Sequence, residues 1–318
     1  MFCQTEYRNY DISSFLLSSD GRQVKLRAKI IVNPKAGRGK AEKAIPVIRR
    51  LFEASQVEFD IYFTQGPGDA IDEAKRAAKD GYDAVISAGG DGTANEVVNG
   101  IAGHDVVLGV IPCGSGNDLA ASMKIPMNIE EACEIILRGN TGKRDLGLVI
   151  DRYFSNSVGI GLDAAVAKTA TQDLRHLPVR GVPLYILALF RTLRKYKSFE
   201  AYITIDDNEV INTHPLLIAV GIGKTYGGGI PIVPDAVPDD GLYDVCIIDA
   251  IGILGILSKL PKALRGTHVN DPQARFLRGK SVRIQLSDKT PLHMDGEVFE
   301  ADSMEFSIIP GGLRVFVP

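Results

Sequence analysis

The sequence predicts an α/β protein in which an N-terminal, doubly wound parallel sheet is followed by a C-terminal antiparallel β-sandwich. Between Ala28 and Pro112, apolar strand-like runs alternate with helical patterns, the order that builds a parallel sheet. Beyond about Gly142 the runs become short and β-branched, separated by Gly, Asp and Asn turns, as in antiparallel sheets. The length of 318 residues, at about 150 residues per domain, suits two such units.

Residues 1–27 show no clear period and are set apart as an N-terminal extension. AKIIVNP, from Ala28, is an apolar run closed by Asn-Pro, the pattern of a buried strand entering a loop. A helix follows from about Lys40 to Glu53, a strand from Glu58 to Thr64 and a helix from Asp69 to Lys79. The series continues with a strand at Asp83–Gly90, a helix at Asn95–Ala102 and a strand at Asp105–Pro112, giving a first domain over residues 28–142. The sandwich spans residues 143–300 and contains YFSNSVGIG, FEAYITI, EVINTHPLLIAVGIG, YDVCIID and KSVRIQL. Two apolar helices with basic C-terminal ends interrupt it, at about Pro183–Tyr196 and Ile251–Leu264. The last strands, in 301–318, are expected to return to the first domain, since domains need not be contiguous in sequence.

Composition narrows the function classes. Thirty-six Lys plus Arg against 39 Asp plus Glu give a net charge of -3, which argues against nucleic-acid binding driven by overall charge. With 24% charged and 45% hydrophobic residues the chain reads as globular. Cys3, Cys113, Cys133 and Cys246 form no CxxC pair and read as buried small hydrophobes or free thiols of a reducing compartment. The N-terminus lacks a basic segment followed by an apolar run, and no stretch of about 18 apolar residues occurs, so a cytoplasmic location is expected.

Three loops follow predicted strands, at the sheet edge where parallel sheets bind ligands. In SAGGDGTANEVVNG, Gly89, Gly90 and Gly92 can take positive φ and bring N–H groups close to an anion, with Thr93 near a helix N-terminus. Asp91 in that cradle would repel a polyphosphate unless a divalent cation or water intervenes, so Mg²⁺ is implied; an ordinary tight turn is the alternative. NPKAGRGK carries Asn33, Pro34, Lys35, Gly37 and Lys40, but no Walker A loop; it also reads as a solvated helix start. IPCGSGNDLAAS adds Ser115, Asn117 as a helix cap and Asp118 as a second carboxylate. In GGGIPIVPDAVPDDGLYDV, Asp240 with the carbonyls of Val237 and Leu242 suits a cation or, from spacing alone, a simple turn. HMDGE sets Asp295 and Glu297 on a Gly turn, where a general base or a plain surface hairpin is expected.

Taken in this order, NPKAGRGK, GGDGTANEVVNG, GVIPCGSGNDLA, GGGIPIVPDAVPDDGLYDV and MDGE resemble the soluble diacylglycerol kinase family, which includes sphingosine and ceramide kinases. GGDGT alone is shared with NAD kinases and phosphofructokinases. The resemblance implies a nucleotide-binding N-terminal domain, a β-sandwich domain and an active site between them. It assigns ATP contacts to Asn33, Pro34, Lys35, Gly37, Thr64, Gly89, Gly90, Asp91, Gly92, Thr93, Asn95 and Ser115, and a Mg²⁺-water network to Asp91 and Asp118. It also implies a structural Mg²⁺ at Asp240 with the backbone of Val237 and Leu242, and a catalytic base in Asp295 and Glu297. Ser115 replaces a more usual Thr and Leu119 a frequent Phe. The implied reaction is transfer of the ATP γ-phosphoryl group to a lipid hydroxyl, with diacylglycerol, giving phosphatidic acid, as the default acceptor. A NAD kinase-like enzyme for another small molecule and a non-catalytic nucleotide- or lipid-binding regulator are the alternatives. Its bacterial relatives are often homodimers.

A lipid kinase without a membrane span meets its substrate at the bilayer surface. PLYILALFRTLRKYK, with Arg191, Arg194, Lys195 and Lys197, is a docking element on that view, or a core-packed helix whose basic turn complements its dipole.

Overall fold

The computed structural model describes residues 26–318 except Gln56, Arg175, Arg180, Gly181 and Glu209. All but the last two residues of the N-terminal extension, and Cys3 with them, lie outside the described residues. The first unit runs β1 (Arg27–Val32), α1 (Lys40–Ala54), β2 (Glu58–Phe63), α2 (Asp69–Lys79), β3 (Ala84–Gly89), α3 (Asp91–Ile101), β4 (Val107–Pro112), α4 (Asp118–Ser122) and α5 (Ile129–Arg138). Its strands lie parallel in the order β4-β3-β1-β2. AVISAG and VLGVIP are buried at every position because helices cover both faces of the sheet. Helix α1 buries Ala41, Ala44, Ile45, Ile48 and Phe52, one stripe of a 3.6-residue period. Helix α5, which the periodicity reading missed, starts where Asn128 accepts the Glu130 and Glu131 N–H groups and stops at a left-handed Gly139.

The second unit contains β5 (Thr141–Val149), β6 (Arg152–Phe154), β7 (Ser157–Gly161), α6 (Leu162–Lys168), α7 (Val182–Leu193), β8 (Ala201–Ile205), β9 (Ile211–Thr213), β10 (Pro215–Gly221), β11 (Tyr243–Asp249), α8 (Ile253–Leu264), β12 (Ala274–Gly279), β13 (Ser281–Met294) and β14 (Glu297–Phe316). Its strand pairs are antiparallel. Phe154, Tyr243 and Phe306 pack ring against ring in its interior. Helices α6, α7 and α8 form a separate apolar layer through Leu162, Val166, Leu189, Leu193 and Ile256, packed on Leu216 of β10.

Strand β14 joins the units. Its first half pairs with β13, its second half with β5, and Arg314 and Val315 run parallel to Val107 and Leu108 of β4. One sheet therefore passes through both units, and the turn between β13 and β14 is fixed to the strand that borders the parallel sheet.

Two local expectations are corrected. Helix α3 begins at Asp91, four residues earlier than its apolar period suggests, with Gly90 extended as its N-cap. Gly89, Gly90 and Gly92 accordingly do not take positive φ; a Cβ on Gly89 would stand 2.5 Å from Thr93 Cβ, so close packing and not left-handed backbone calls for glycine there.

Candidate active site

The three loops at the ends of β1, β3 and β4 are tied to one another by side chains. Asn33 Nδ2 donates to Thr93 Oγ1 at 3.2 Å, and Asn33 Oδ1 accepts the Lys35 N–H at 3.1 Å. Lys40 Nζ donates to the Pro112 carbonyl at 3.2 Å. Gly37 takes φ +57° and presses against the Cys113 carbonyl, leaving no room for a side chain. Thr64 closes β2 through its N–H to the Val32 carbonyl at 2.9 Å. Pro34 is half-buried, while Lys35 and Ser115 are exposed at this rim. The flank of Gly92 is open. Asn117 stands before α4 but does not cap it: its Oδ1 accepts the Gly114 N–H and its Nδ2 donates to the Gly114 carbonyl, closing the GSGN turn.

Asp91 and Asp118 form a half-buried acidic pair. Asp91 Oδ2 accepts the Asn117 N–H at 2.7 Å and Oδ1 the Leu119 N–H at 3.2 Å, which joins GGDGT to GSGND. Burial, reinforced by the Asp118 charge, pushes the Asp91 carboxyl up to about 7. Asp118 is likewise raised by burial; its oxygens accept the Gly228 N–H at 3.0 and 3.1 Å and the Gly229 N–H at 2.8 Å, against the pull of desolvation. Neither carboxylate has an ion-pair partner among the described residues. A donor set of two half-buried carboxylates without a balancing cation fits a divalent ion.

Asp295 and Gly296 form the two-residue turn between Met294 and Glu297, both at positive φ, the geometry for which Asp-Gly is suited. Asp295 Oδ2 accepts the Ser155 N–H at 2.8 Å and Asn95 Nδ2 at 3.2 Å, and Oδ1 accepts the Ser157 N–H at 2.8 Å. Burial raises its pKa while these donors oppose the rise. Asn95 thus bridges α3 to this turn, and its Nδ2 also donates to the Tyr153 carbonyl at 3.0 Å; it stands with the carboxylate and not with the loop amides. Glu297 points elsewhere: Oε2 pairs with Arg152 Nη1 at 2.7 Å, and burial raises its pKa against the Arg152 charge.

The turn around Asp240 does not call for a cation. Asp240 Oδ1 accepts the Leu242 N–H at 3.1 Å and Oδ2 pairs with the Arg278 guanidinium, which already supplies positive charge. Val237 is exposed. The turn is held instead by Asp145, which the motif reading missed: its two oxygens accept the Gly241 N–H at 2.7 Å and the Gly311 N–H at 2.8 Å. As folded, these residues do not fit the structural Mg²⁺ that the resemblance implied.

A cavity of about 200 Å³ connects the carboxylates to the helical layer. Asp91, Asp118 and Asp295 line one end; Val166, Leu189, Leu216, Ile256 and Leu260 line its apolar body. Sequence reasoning also missed a polar cluster on this wall, where Tyr226 Oη donates to Asp163 Oδ2 at 2.6 Å and His293 Nε2 lies 3.5 Å from the same oxygen. The two-residue spacing from His293 to Asp295 at a strand end is the signal that could have placed His293 there.

The sequence profile of the diacylglycerol kinase catalytic domain matches residues 27–149, and that of the YegS C-terminal NAD kinase beta sandwich-like domain matches residues 156–317. An α/β unit with an acidic, glycine-rich edge facing a β-sandwich defines a two-domain kinase, a phosphotransferase. A Staphylococcus epidermidis diacylglycerol kinase is 33% identical over 294 residues, covering 92% of this chain and 92% of its own length. One from Staphylococcus carnosus is 32% identical, covering 92% and 95%. The crystal structure of a Bacillus anthracis protein provisionally described as a diacylglycerol kinase has a TM-score of 0.75 at 26% identity, covering 92% of this chain and 97% of that one. The chain belongs to the diacylglycerol kinase family. Among the described residues no helix is long and apolar enough to cross a membrane.

Proposed function

We propose that this kinase transfers the γ-phosphoryl group of ATP, in complex with Mg²⁺, to the free hydroxyl of diacylglycerol, giving phosphatidic acid. The observation that carries the reading is the cavity, whose apolar body suits acyl chains and whose end is walled by Asp91, Asp118 and Asp295. The loops at Asn33–Gly37, Gly89–Thr93 and Ser115 are the proposed ATP contacts, and Asp91 and Asp118 would hold the ion. Bound there, Mg²⁺ supplies charge that offsets the phosphates and the two carboxylates.

Phosphoryl transfer is chiefly positioning and electrostatics. Three N–H donors fix the Asp295 carboxylate, and the remaining lone pair of Oδ1 can accept the hydrogen bond of the lipid hydroxyl. Asp295 is the proposed base, receiving that proton as the hydroxyl oxygen bonds to phosphorus and ADP leaves. Glu297, held by Arg152, is assigned to keeping the turn in place.

A membrane surface is the proposed meeting place with the lipid. Leu187 and Phe190 on α7, and Ile253 and Leu254 on α8, are exposed. Neither Val182–Lys197 nor Ile251–His268 contains an Asp or Glu, whereas Arg191, Arg194, Lys195, Lys197, Lys259, Lys262 and Arg265 fall in or beside these helices. An apolar tip with a basic flank suits an anionic bilayer, and the same helices wall the cavity.

The test is ATP- and Mg²⁺-dependent phosphorylation of a lipid panel in mixed micelles, with diacylglycerol, phosphatidylglycerol, a sphingoid base and undecaprenol as acceptors and NAD as a soluble comparator. Phosphatidic acid from the wild type, and about 10²- to 10⁴-fold less from Asp295→Asn, is the expected result. Phosphorylation of NAD alone would overturn the reading, and an unaltered rate in Asp295→Asn would remove Asp295 from its role.

A further inference from the structure

The triple glycine at 227–229 lies outside the parts assigned above. Tyr226 and Ile230 exchange both hydrogen bonds of a β-bridge, at 3.0 and 2.8 Å, and so close Gly227, Gly228 and Gly229 into a fixed three-residue loop. All three have positive φ, 64°, 84° and 101°, a succession open only to glycine. This backbone turns the Gly228 and Gly229 N–H groups onto one point, and an anion is found there: the Asp118 carboxylate, at 2.8 to 3.1 Å. Successive converging N–H groups make an anion-binding concavity.

The location gives the concavity its ligand. Asp118 arrives from the loop after β4, on the proposed ATP side, while Gly227 and Ile230 line the cavity proposed for the lipid. The amides stand at the boundary a phosphoryl group crosses. A carboxylate and a phosphate monoester present the same feature, oxygens that share negative charge and accept from N–H donors, and Asp118 occupies the position a phosphoryl oxygen would take.

Resting on the proposed phosphoryl transfer, we infer that the Gly228 and Gly229 amides form a binding site for the phosphoryl group on its acceptor side, which Asp118 holds while no phosphate is present and yields when one arrives. Donors fixed in advance, where charge is to be delivered, cost no reorganisation at the moment of transfer. The site would hold the monoester product as well as the group in flight.

The inference is tested on the full chain labelled with ¹⁵N, with a short-chain phosphatidic acid as probe and inorganic phosphate in a parallel titration. With Mg²⁺ present, the Gly228 and Gly229 amide signals should move on titration with the phosphatidic acid. Asp118→Ala, which vacates the site, should bind either probe at least tenfold more tightly without Mg²⁺. Gly229→Ala, whose Cβ meets no neighbour but whose φ is wrong for alanine, should weaken the phosphatidic acid at least tenfold while leaving ATP affinity unchanged. Signals that move only in Gly89–Thr93, or an Asp118→Ala variant with unchanged affinity, would overturn the inference. These are binding readouts, so they fail or succeed independently of lipid turnover: a wild type that phosphorylates diacylglycerol with silent Gly228 and Gly229 signals defeats the inference alone. If Gly229→Ala does not fold, the wild-type and Asp118→Ala titrations still decide.

Discussion

The Asp91 carboxyl makes this kinase sensitive to pH in a direction opposite to most salt-bridged acids. Its pKa rises from 3.8 to about 7 on folding because it is buried beside Asp118, and at about 1.4 kcal/mol per pH unit this amounts to about 4 kcal/mol. The sign follows from the raised value. Above 3.8 the unfolded chain sheds this proton while the folded one keeps it, so stability declines as pH rises, until the folded group too has ionised near 7. Because Asp91 and Asp118 titrate as one coupled pair, the loss between pH 5 and 8, on the order of 3 kcal/mol from the raised value, belongs to the pair, Asp118 being raised in the same direction. Urea denaturation of the protein in chelator, at pH 5, 6, 7 and 8, measures the slope. Asp91→Asn should lose much of it, even though its amide suits the Asn117 and Leu119 N–H donors less well and lowers stability at every pH. Mg²⁺ added at pH 8 should restore the wild type more than the variant. Parallel losses in wild type and Asp91→Asn from pH 5 to 8 would refute the assignment of a buried, proton-retaining carboxyl at this position.

Two further outcomes follow from the backbone and the surface. Gly37→Ala places a left-handed alanine against the Cys113 carbonyl; the conformation alone costs about 1 to 2 kcal/mol and the collision more, so the midpoint of thermal unfolding should fall and KM for ATP should rise, and a variant matching the wild type in both would show the loop is not held as described. Glutamate at Arg191, Arg194, Lys195 and Lys197 should abolish sedimentation with phosphatidylglycerol vesicles, each cation being worth about 1 kcal/mol near an anionic surface; unchanged partitioning would leave α7 a packing helix.

Much of the α/β unit was legible because strands buried on both faces, such as AVISAG and VLGVIP, read as continuous apolar runs and each is followed by a glycine-rich loop. The Asp-Gly turn at Asp295 was legible because few residue pairs accept two positive φ angles. The start of α3 was not: GGDGT carries no apolar period, and the helix is begun there by the packing of Gly89 against Thr93 and by the amides that Asp91 accepts. The resemblance assigned Asn95 to the nucleotide contacts; its bond to Asp295 could not be read from the motif, since that partner comes from the far end of the chain. The cavity wall was equally out of reach, since α6, α7 and α8 each show an apolar face but nothing in the three patterns says that those faces converge. Glu297 and Asp240 illustrate the limit of motifs: each carries the expected carboxylate, and each is committed to an arginine, Arg152 and Arg278, that lies elsewhere in the sequence.

Strand β14 has a consequence for how the molecule is made. The parallel sheet of the first unit is bordered beyond β4 by residues 314 and 315, which leave the ribosome only after nearly all of the second unit. Until then β4 presents an open edge, so the early-synthesised half cannot finish folding ahead of the late one, and long-range pairing of this kind is slow to form. The strand that completes the first sheet is thus also the one that follows directly on the turn bearing Asp295, so closing the first sheet and building the proposed base draw on the same late-made strand.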